Sequence, residues 1–271
     1  MIPEIFSHDF MLNAFAAGIL VSVACGIVGT LVVVNRLSFL AGGVAHAAYG
    51  GLGLAAFLNW TPLAGTIPFA LVSSFLMGAV ARKNKERSDT VIGVMWAVGM
   101  AAGIILLDFK PGYYVDLMSY LFGSIITVSS SGLLMMLVLN LLIIATVTAL
   151  FKEILAMSYD EEYALICGIP VKILYYVILL LIAFTVIMLI RAVGLILVIA
   201  LFTIPASISE LFTKDLKKMM ILSSGFGMIF SITGLLLSYY LDVTAGASII
   251  LVACTGYAIA LLAKKRGIKS V

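Results

Sequence analysis

One histidine stands in the stretch FLAGGVAHAAYGG, residues 39–51, and the whole chain has only two. An imidazole in such surroundings needs a hydrogen-bond partner or a ligand, and its glycine and alanine neighbours supply no side-chain partner. Neutral imidazole is a common ligand for zinc and other borderline metals. A second reading is donation to a carbonyl or hydroxyl of a neighbouring helix. Arg36 lies ten residues earlier and marks a membrane boundary. At about 1.5 Å per residue, His46 is then roughly 15 Å deep, near the middle of a hydrocarbon core about 30 Å thick. An ionisable side chain at that depth is by default a functional one. Gly42, His46 and Gly50 recur at i, i+4 and i+8, so they share one face. Glycines there let a neighbouring backbone approach or leave room for a path.

That reading requires membrane-spanning elements, and composition supports them. The chain of 271 residues is 63% hydrophobic and 11% charged, against about 25% charged for a soluble domain. Apolar stretches near 11–34, 37–58, 62–81, 90–107, 132–151, 173–190, 193–212, 219–241 and 244–263 predict an all-α polytopic membrane protein with about nine transmembrane helices. Residues 113–131 fit a short extra helix or a re-entrant segment. The first ten residues carry Glu4 and Asp9 and no basic run, so the first apolar segment is expected to remain as a span. The whole of 1–271 reads as a single transmembrane domain. Cys25, Cys167 and Cys254 are far apart and form no disulfide framework. Cys25 and Cys254 are expected to pack as small hydrophobes.

Basic residues orient the chain. With the C-terminus in the cytoplasm and nine spans, the inner face holds Arg36, Arg82, Lys83, Lys85, Arg87, Lys152, Lys172, Lys214, Lys217, Lys218, Lys264, Lys265, Arg266 and Lys269, which leaves only Lys110 and Arg191 of the 16 Lys and Arg outside. The N-terminus is then outside. The outer face carries Glu4, Asp9, Asp108, Asp116 and Asp242, with His8 beside Asp9. An acidic mouth built on Asp108, Asp116 and Asp242 would concentrate cations; solvated loop ends are the plainer reading. The net charge of +3 is too weak to suggest nucleic-acid binding.

The longest inner loop, about 152–172, reads KEILAMSYDEEYALICGIPVK. Asp160 is placed to cap a short helix whose first turn holds Glu161 and Glu162, favourable against the positive end of the helix dipole. Tyr163, Ala164 and Cys167 supply a small, weakly apolar face. Gly168 is suited to end the helix in a left-handed conformation, and Pro170 prevents its continuation. Two turns are not stable alone in water, so this helix rests on its own spans or on a cytoplasmic partner. The chain has no GxxxxGK[ST] phosphate loop. Any ATP use would therefore require a separate subunit, docked at this loop.

Five segments in order carry a family resemblance: RLSFLAGGVAHAAYGGLGLA (36–55), DLMSYLFGSI (116–125), SYDEEYALICGIP (158–170), VGLILVIALFTIPASISELFT (193–213) and LDVTAGASIILV (241–252). Together they resemble the permeases of metal-uptake ABC transporters, the zinc, manganese and iron importers related to the vitamin B12 permease fold. The resemblance implies a homodimer, two cytoplasmic ATPases, and an extracellular or periplasmic metal-binding protein. It implies location in a prokaryotic cytoplasmic membrane, no tightly bound cofactor, and a transported divalent metal ion, zinc or manganese first and iron next. The cytoplasmic coupling helix of the family corresponds to about 159–169, which places Asp160, Glu161, Glu162, Ala164 and Gly168 at the ATPase. The family commonly has an aspartate four residues before the histidine; here that residue is Gly42. Glu210 stands where the family often has arginine.

Within the seventh apolar stretch, Pro205 frees a backbone carbonyl and favours a kink. That carbonyl, Thr203, Ser207 or Ser209 could line a polar path, or the kink could simply be packed. Glu210 is expected to pair with Lys214, four residues on; receipt of a departing cation is its alternative. Three other functions are weighed: import of a metal chelate, secondary transport, and a membrane metalloenzyme. Secondary transport usually needs buried carboxylates, and all 13 acids fall at or near span ends. No HExxH motif supports an enzyme.

Overall fold

The computed structural model describes residues 9–83, 87–110, 125 and 128–265. The expected segment at 113–131 therefore falls almost wholly outside the described residues, as do Glu4, His8 and Asp116. The described chain is helical throughout: α1 (Asp9–Val34), α2 (Ser38–Phe57), α3 (Pro62–Lys83), α4 (Ser88–Asp108), α5 (Ser130–Ala149), α6 (Phe151–Tyr159), α7 (Glu161–Ile166), α8 (Val171–Phe212), α9 (Leu216–Leu241) and α10 (Ala245–Lys265). Among the described residues, 8 helical segments are long and apolar enough to cross a membrane. The protein is a multi-pass membrane protein.

The seventh expected span departs from expectation in its length. It is separate from the sixth, as expected, because α8 breaks into two limbs at Gly194 (φ 76, ψ 173), but it is shorter than expected. Gly194 is buried, and its positive φ is open to glycine at no steric cost. The Tyr159 hydroxyl donates to the carbonyl of Lys214, so the end of α8 returns to the face from which α8 starts. The helix thus folds back at a turn inside the protein. Its returning limb, Leu197–Phe212, is shorter than the roughly 20 residues a full crossing needs.

Contacts between loops sort the chain into two faces. Asn35 Nδ2 donates to Ser158 Oγ over 3.1 Å, and Arg82 pairs with Glu161 at 3.1 Å. With the Tyr159–Lys214 contact, these gather Arg36, Arg82, α7 and Lys214 on one face. On the opposite face, Lys110 Nζ donates to the Ala56 carbonyl at 2.7 Å and to Asn59 Oδ1 at 2.8 Å. This division matches the grouping of basic residues read from the sequence.

α2 is buried along nearly its whole length between α3 and α4. Its small residues explain how. A Cβ at Gly51 would lie 2.5 Å from the Gly65 carbonyl oxygen of α3, and one at Gly53 would overlap Gly103 of α4. Close backbone approach replaces hydrophobic burial as the source of helix association in lipid. Buried polar groups bridge other helices: Ser22 Oγ to Ser231 Oγ at 3.1 Å, Ser74 Oγ to the Leu179 carbonyl at 2.8 Å, and Asn140 Nδ2 to the Leu20 carbonyl at 3.0 Å. Cys25 is buried as expected, but Cys254 is exposed on α10. The 3.6-residue period turns it away from Ala253, which does enter the core.

Candidate functional site

His46 is the ninth residue of the 20-residue α2, so it sits close to the middle of the helix. Its ring stacks on the indole of Trp96 from α4, with centroids 4.1 Å apart and planes 9° from parallel. Trp96 is held in turn: its Nε1 donates to Met100 Sδ at 3.0 Å, and Phe39 lies 6.1 Å away in a tilted arrangement. The imidazole Nδ1 is buried and has no hydrogen-bond partner among the described residues. The alternative reading, donation to a neighbouring carbonyl or hydroxyl, therefore finds no support at Nδ1. The residue as a whole is only half-buried.

The two glycines flanking His46 have different surroundings. A Cβ at Gly50 would stand 2.8 Å from the Gly99 carbonyl oxygen, so this side is a tight helix contact and offers no space beside the ring. A Cβ at Gly42 would stand 2.9 Å from Ile199 Cδ1, at the tip of a side chain on the returning limb of α8. Ile199, Thr203 and Ser207 recur at i, i+4 and i+8 on that limb and are all half-exposed. Thr203 Oγ1 donates to the Ile199 carbonyl at 2.7 Å. Ser209 instead is buried, donating to the Pro205 carbonyl at 2.9 Å, so it belongs to the packed side of the helix. His46, Thr203 and Ser207 are thus half-exposed, whereas Gly42 is buried. No three His, Cys, Asp or Glu side chains are assembled for a metal among the described residues.

The remaining acids fall apart from this centre. Glu210 pairs with Lys214 at 3.3 Å, as its spacing predicts. Asp108 ends α4 and Asp242 caps α9 in the left-handed region (φ 54, ψ 46), and both are exposed. Asp242 thus has a turn-forming role whatever else it does.

α7 has the expected caps. Asp160 Oδ1 accepts from the Tyr163 N–H at 2.9 Å, and Gly168 adopts φ 78. Ala164 is fully buried, whereas Tyr163, Leu165 and Ile166 are exposed, Ile166 at 84%. The apolar surface is therefore directed outward, away from the spans. A hydrogen bond with Cys167 raises the Tyr163 phenol above its ordinary pKa. Glu161 binds Arg82 of α3, and the Arg82 guanidinium lies 5.2 Å over the Tyr175 ring of α8. Tyr175 closes the link by donating to the Gly78 carbonyl at 3.1 Å.

Trp96 and Arg82 are the residues that sequence reasoning did not single out. Trp96 carried a signal: it lies eight residues after the start of α4, as His46 does after the start of α2. The two helices start on the same face, so the rings are at equal depth. Arg82 carried none, since it reads as one member of a basic loop.

Residues 7–264 match the model of the ABC 3 transport family. The chain belongs to the ABC 3 transport family. This permease is 50% identical to an uncharacterized membrane protein of Synechocystis sp., over 95% of this chain and 92% of that one. It is 31% identical to the manganese transport system membrane protein MntC of Listeria monocytogenes, over 97% and 94% of the two chains. Among solved structures, PsaBC from Streptococcus pneumoniae in complex with Fab matches with TM-score 0.86 and 30% identity, covering 96% of this chain and 95% of that one. A metal-chelate type ABC transporter in an inward-facing conformation matches at TM-score 0.72 and 17% identity, a likeness of fold alone. As an ABC 3 family permease, the protein is a multi-pass transport subunit of the prokaryotic cytoplasmic membrane.

Proposed function

We propose that this permease imports a divalent transition metal ion, manganese first, driven by a separate cytoplasmic ATPase and loaded by an extracellular metal-binding protein. The observation that carries the reading is His46, half-open at mid-helix with an unpartnered Nδ1. The names of its relatives support manganese: MntC of Listeria monocytogenes, and the manganese import permease ScaB of Streptococcus gordonii at 30% identity. Zinc is the second reading, with iron after it. Gly42 removes the carboxylate that would suit a hard ion such as manganese, and a lone imidazole suits zinc. Import of an intact chelate is not favoured, because only the fold-level likeness points to it.

A single imidazole is a weak ligand set, so His46 contacts the ion in transit. Because His46 is half-exposed on one chain, a second copy facing it would complete the path and bring a second imidazole. Backbone carbonyls, Thr203, Ser207 and water supply the other contacts. Asp108, Asp116 and Asp242 attract cations at the outer mouth, while α7 docks on the ATPase through Asp160, Glu161, Glu162, Ala164 and Gly168. Cells whose other importers are removed, expressing this permease with its ATPase and binding protein, should accumulate manganese above the empty-vector level. Gain of no metal, or of an intact chelate only, would refute the reading.

Orientation is part of the same proposal, with the basic face in the cytoplasm. A cysteine at Ser88, in a background lacking Cys167 and Cys254, should react only with membrane-permeant reagents in intact cells. Labelling by an impermeant reagent would invert the topology.

A further inference from the structure

A groove runs between α1, α5 and α9, and none of its lining residues lies on α2, the helix of His46. Its volume is about 680 Å³, within the roughly 300–1,000 Å³ range of small-ligand sites. Val23, Ile27, Val147, Phe151, Met220 and Ile221 make its walls apolar, and Lys217 stands at one end. From Lys217 to Met228, its furthest lining residue on α9, the helix rises about 16 Å. That is roughly one leaflet of a hydrocarbon core about 30 Å thick. The groove thus starts at the basic face and stops near the bilayer midplane.

The rim is cationic. Lys217 lines the groove, Lys218 is exposed beside it, and Lys152 is exposed next to Phe151. Of the nearby acids, Glu210 pairs with Lys214; Asp215, whose Oδ1 accepts from the Lys218 backbone N–H to cap α9, and the half-buried Glu153 offset part of this charge, and the three lysines outnumber them. Basic pockets between transmembrane helices at the cytoplasmic side bind anionic lipid head groups. We propose that the groove is a site for one anionic phospholipid, with an acyl chain between α1, α5 and α9 and its phosphate on Lys217. A second copy of the permease fits poorly here, because a two-fold contact would set the two basic rims against each other.

Gly225 lines the groove, and a Cβ there meets nothing within 4 Å. Gly225→Leu is therefore tolerated by the fold and fills the site. The full-length permease, purified in detergent, would be exposed to mixed micelles containing phosphatidylglycerol or phosphatidylcholine, and bound lipid counted by native mass spectrometry. Phosphatidylglycerol should be retained preferentially. Lys217→Gln should weaken that retention about fivefold, and Gly225→Leu should abolish it. A thermal midpoint measured for each variant without added lipid keeps misfolding separate; if Gly225→Leu lowers it, Ile221→Trp replaces that variant. Equal retention of both lipids, or unchanged phosphatidylglycerol binding in both Lys217→Gln and the groove-filling variant, would overturn the site. Cross-linking of Ile221→Cys between two copies in membranes would likewise overturn it, in favour of a protein contact.

Discussion

His46→Ala is expected to lower ATP-driven metal transport about tenfold or more, the range in which even outer-shell partners of a metal change affinity or activity. Protein level and assembly with the ATPase should stay near normal. The residue is only half-buried and makes no hydrogen bond through Nδ1 among the described residues, so its removal breaks no polar network described there. It does remove one side of the Trp96 stack, which is a packing loss. His46→Gln separates the two roles. Glutamine is similar in reach and can hydrogen-bond, so it should restore much activity if the ring only packs. It should restore little if the ring coordinates. Gly42→Asp rebuilds the carboxylate–imidazole pair common in the family. The new side chain must push aside the Ile199 Cδ1 methyl, a flexible tip, so the fold should accept it. It should tighten metal contact and slow release or shift metal preference. Full transport by both His46→Ala and His46→Gln would make His46 structural.

Gly168→Val should uncouple ATP hydrolysis from transport. Valine at φ 78 sits in a region costing on the order of 1–3 kcal/mol for a non-glycine residue, enough to undo the end of a six-residue helix. Uptake should fall several-fold, and ATP hydrolysis should lose its dependence on the loaded binding protein. Arg82→Ala tests the same route from the permease side. The Arg82–Glu161 pair is partly exposed, so its loss should change stability by at most about 1 kcal/mol. It nevertheless removes the described side-chain ion pair joining α7 to α3, which packs against α2 and hence the helix of His46. Coupling that survives Gly168→Val and deletion of 161–166 would show that α7 is not the docking element.

Much of this architecture was legible from the chain because each feature has a local cause. The caps of α7 follow from Asp160 and Gly168, the Glu210–Lys214 pair from helical spacing, and the place of His46 near the middle of α2 from its distance to Arg36. What stayed hidden depends on partners distant in sequence. The stack on Trp96 requires α2 and α4 to lie side by side, and the Arg82 link requires α3, α7 and α8 to converge. The reversal within α8 was legible at Arg191, between the stretches 173–190 and 193–212, but the short returning limb was not: Gly194 looks like any glycine in a span until its φ is known. Gly42 and Gly50 looked equivalent by period, yet one faces a movable isoleucine tip and the other a carbonyl. The missing carboxylate at Gly42 was visible at once, and no described side chain replaces it.

The most direct test of the central claim is uptake into proteoliposomes containing this permease, its ATPase and its metal-binding protein, supplied with a panel of divalent ions. Manganese, or zinc in its place, should accumulate only with ATP and the loaded binding protein, and accumulation should collapse with His46→Ala. ATP-independent accumulation, or transport of neither ion under conditions where the assembled complex hydrolyses ATP, would contradict it.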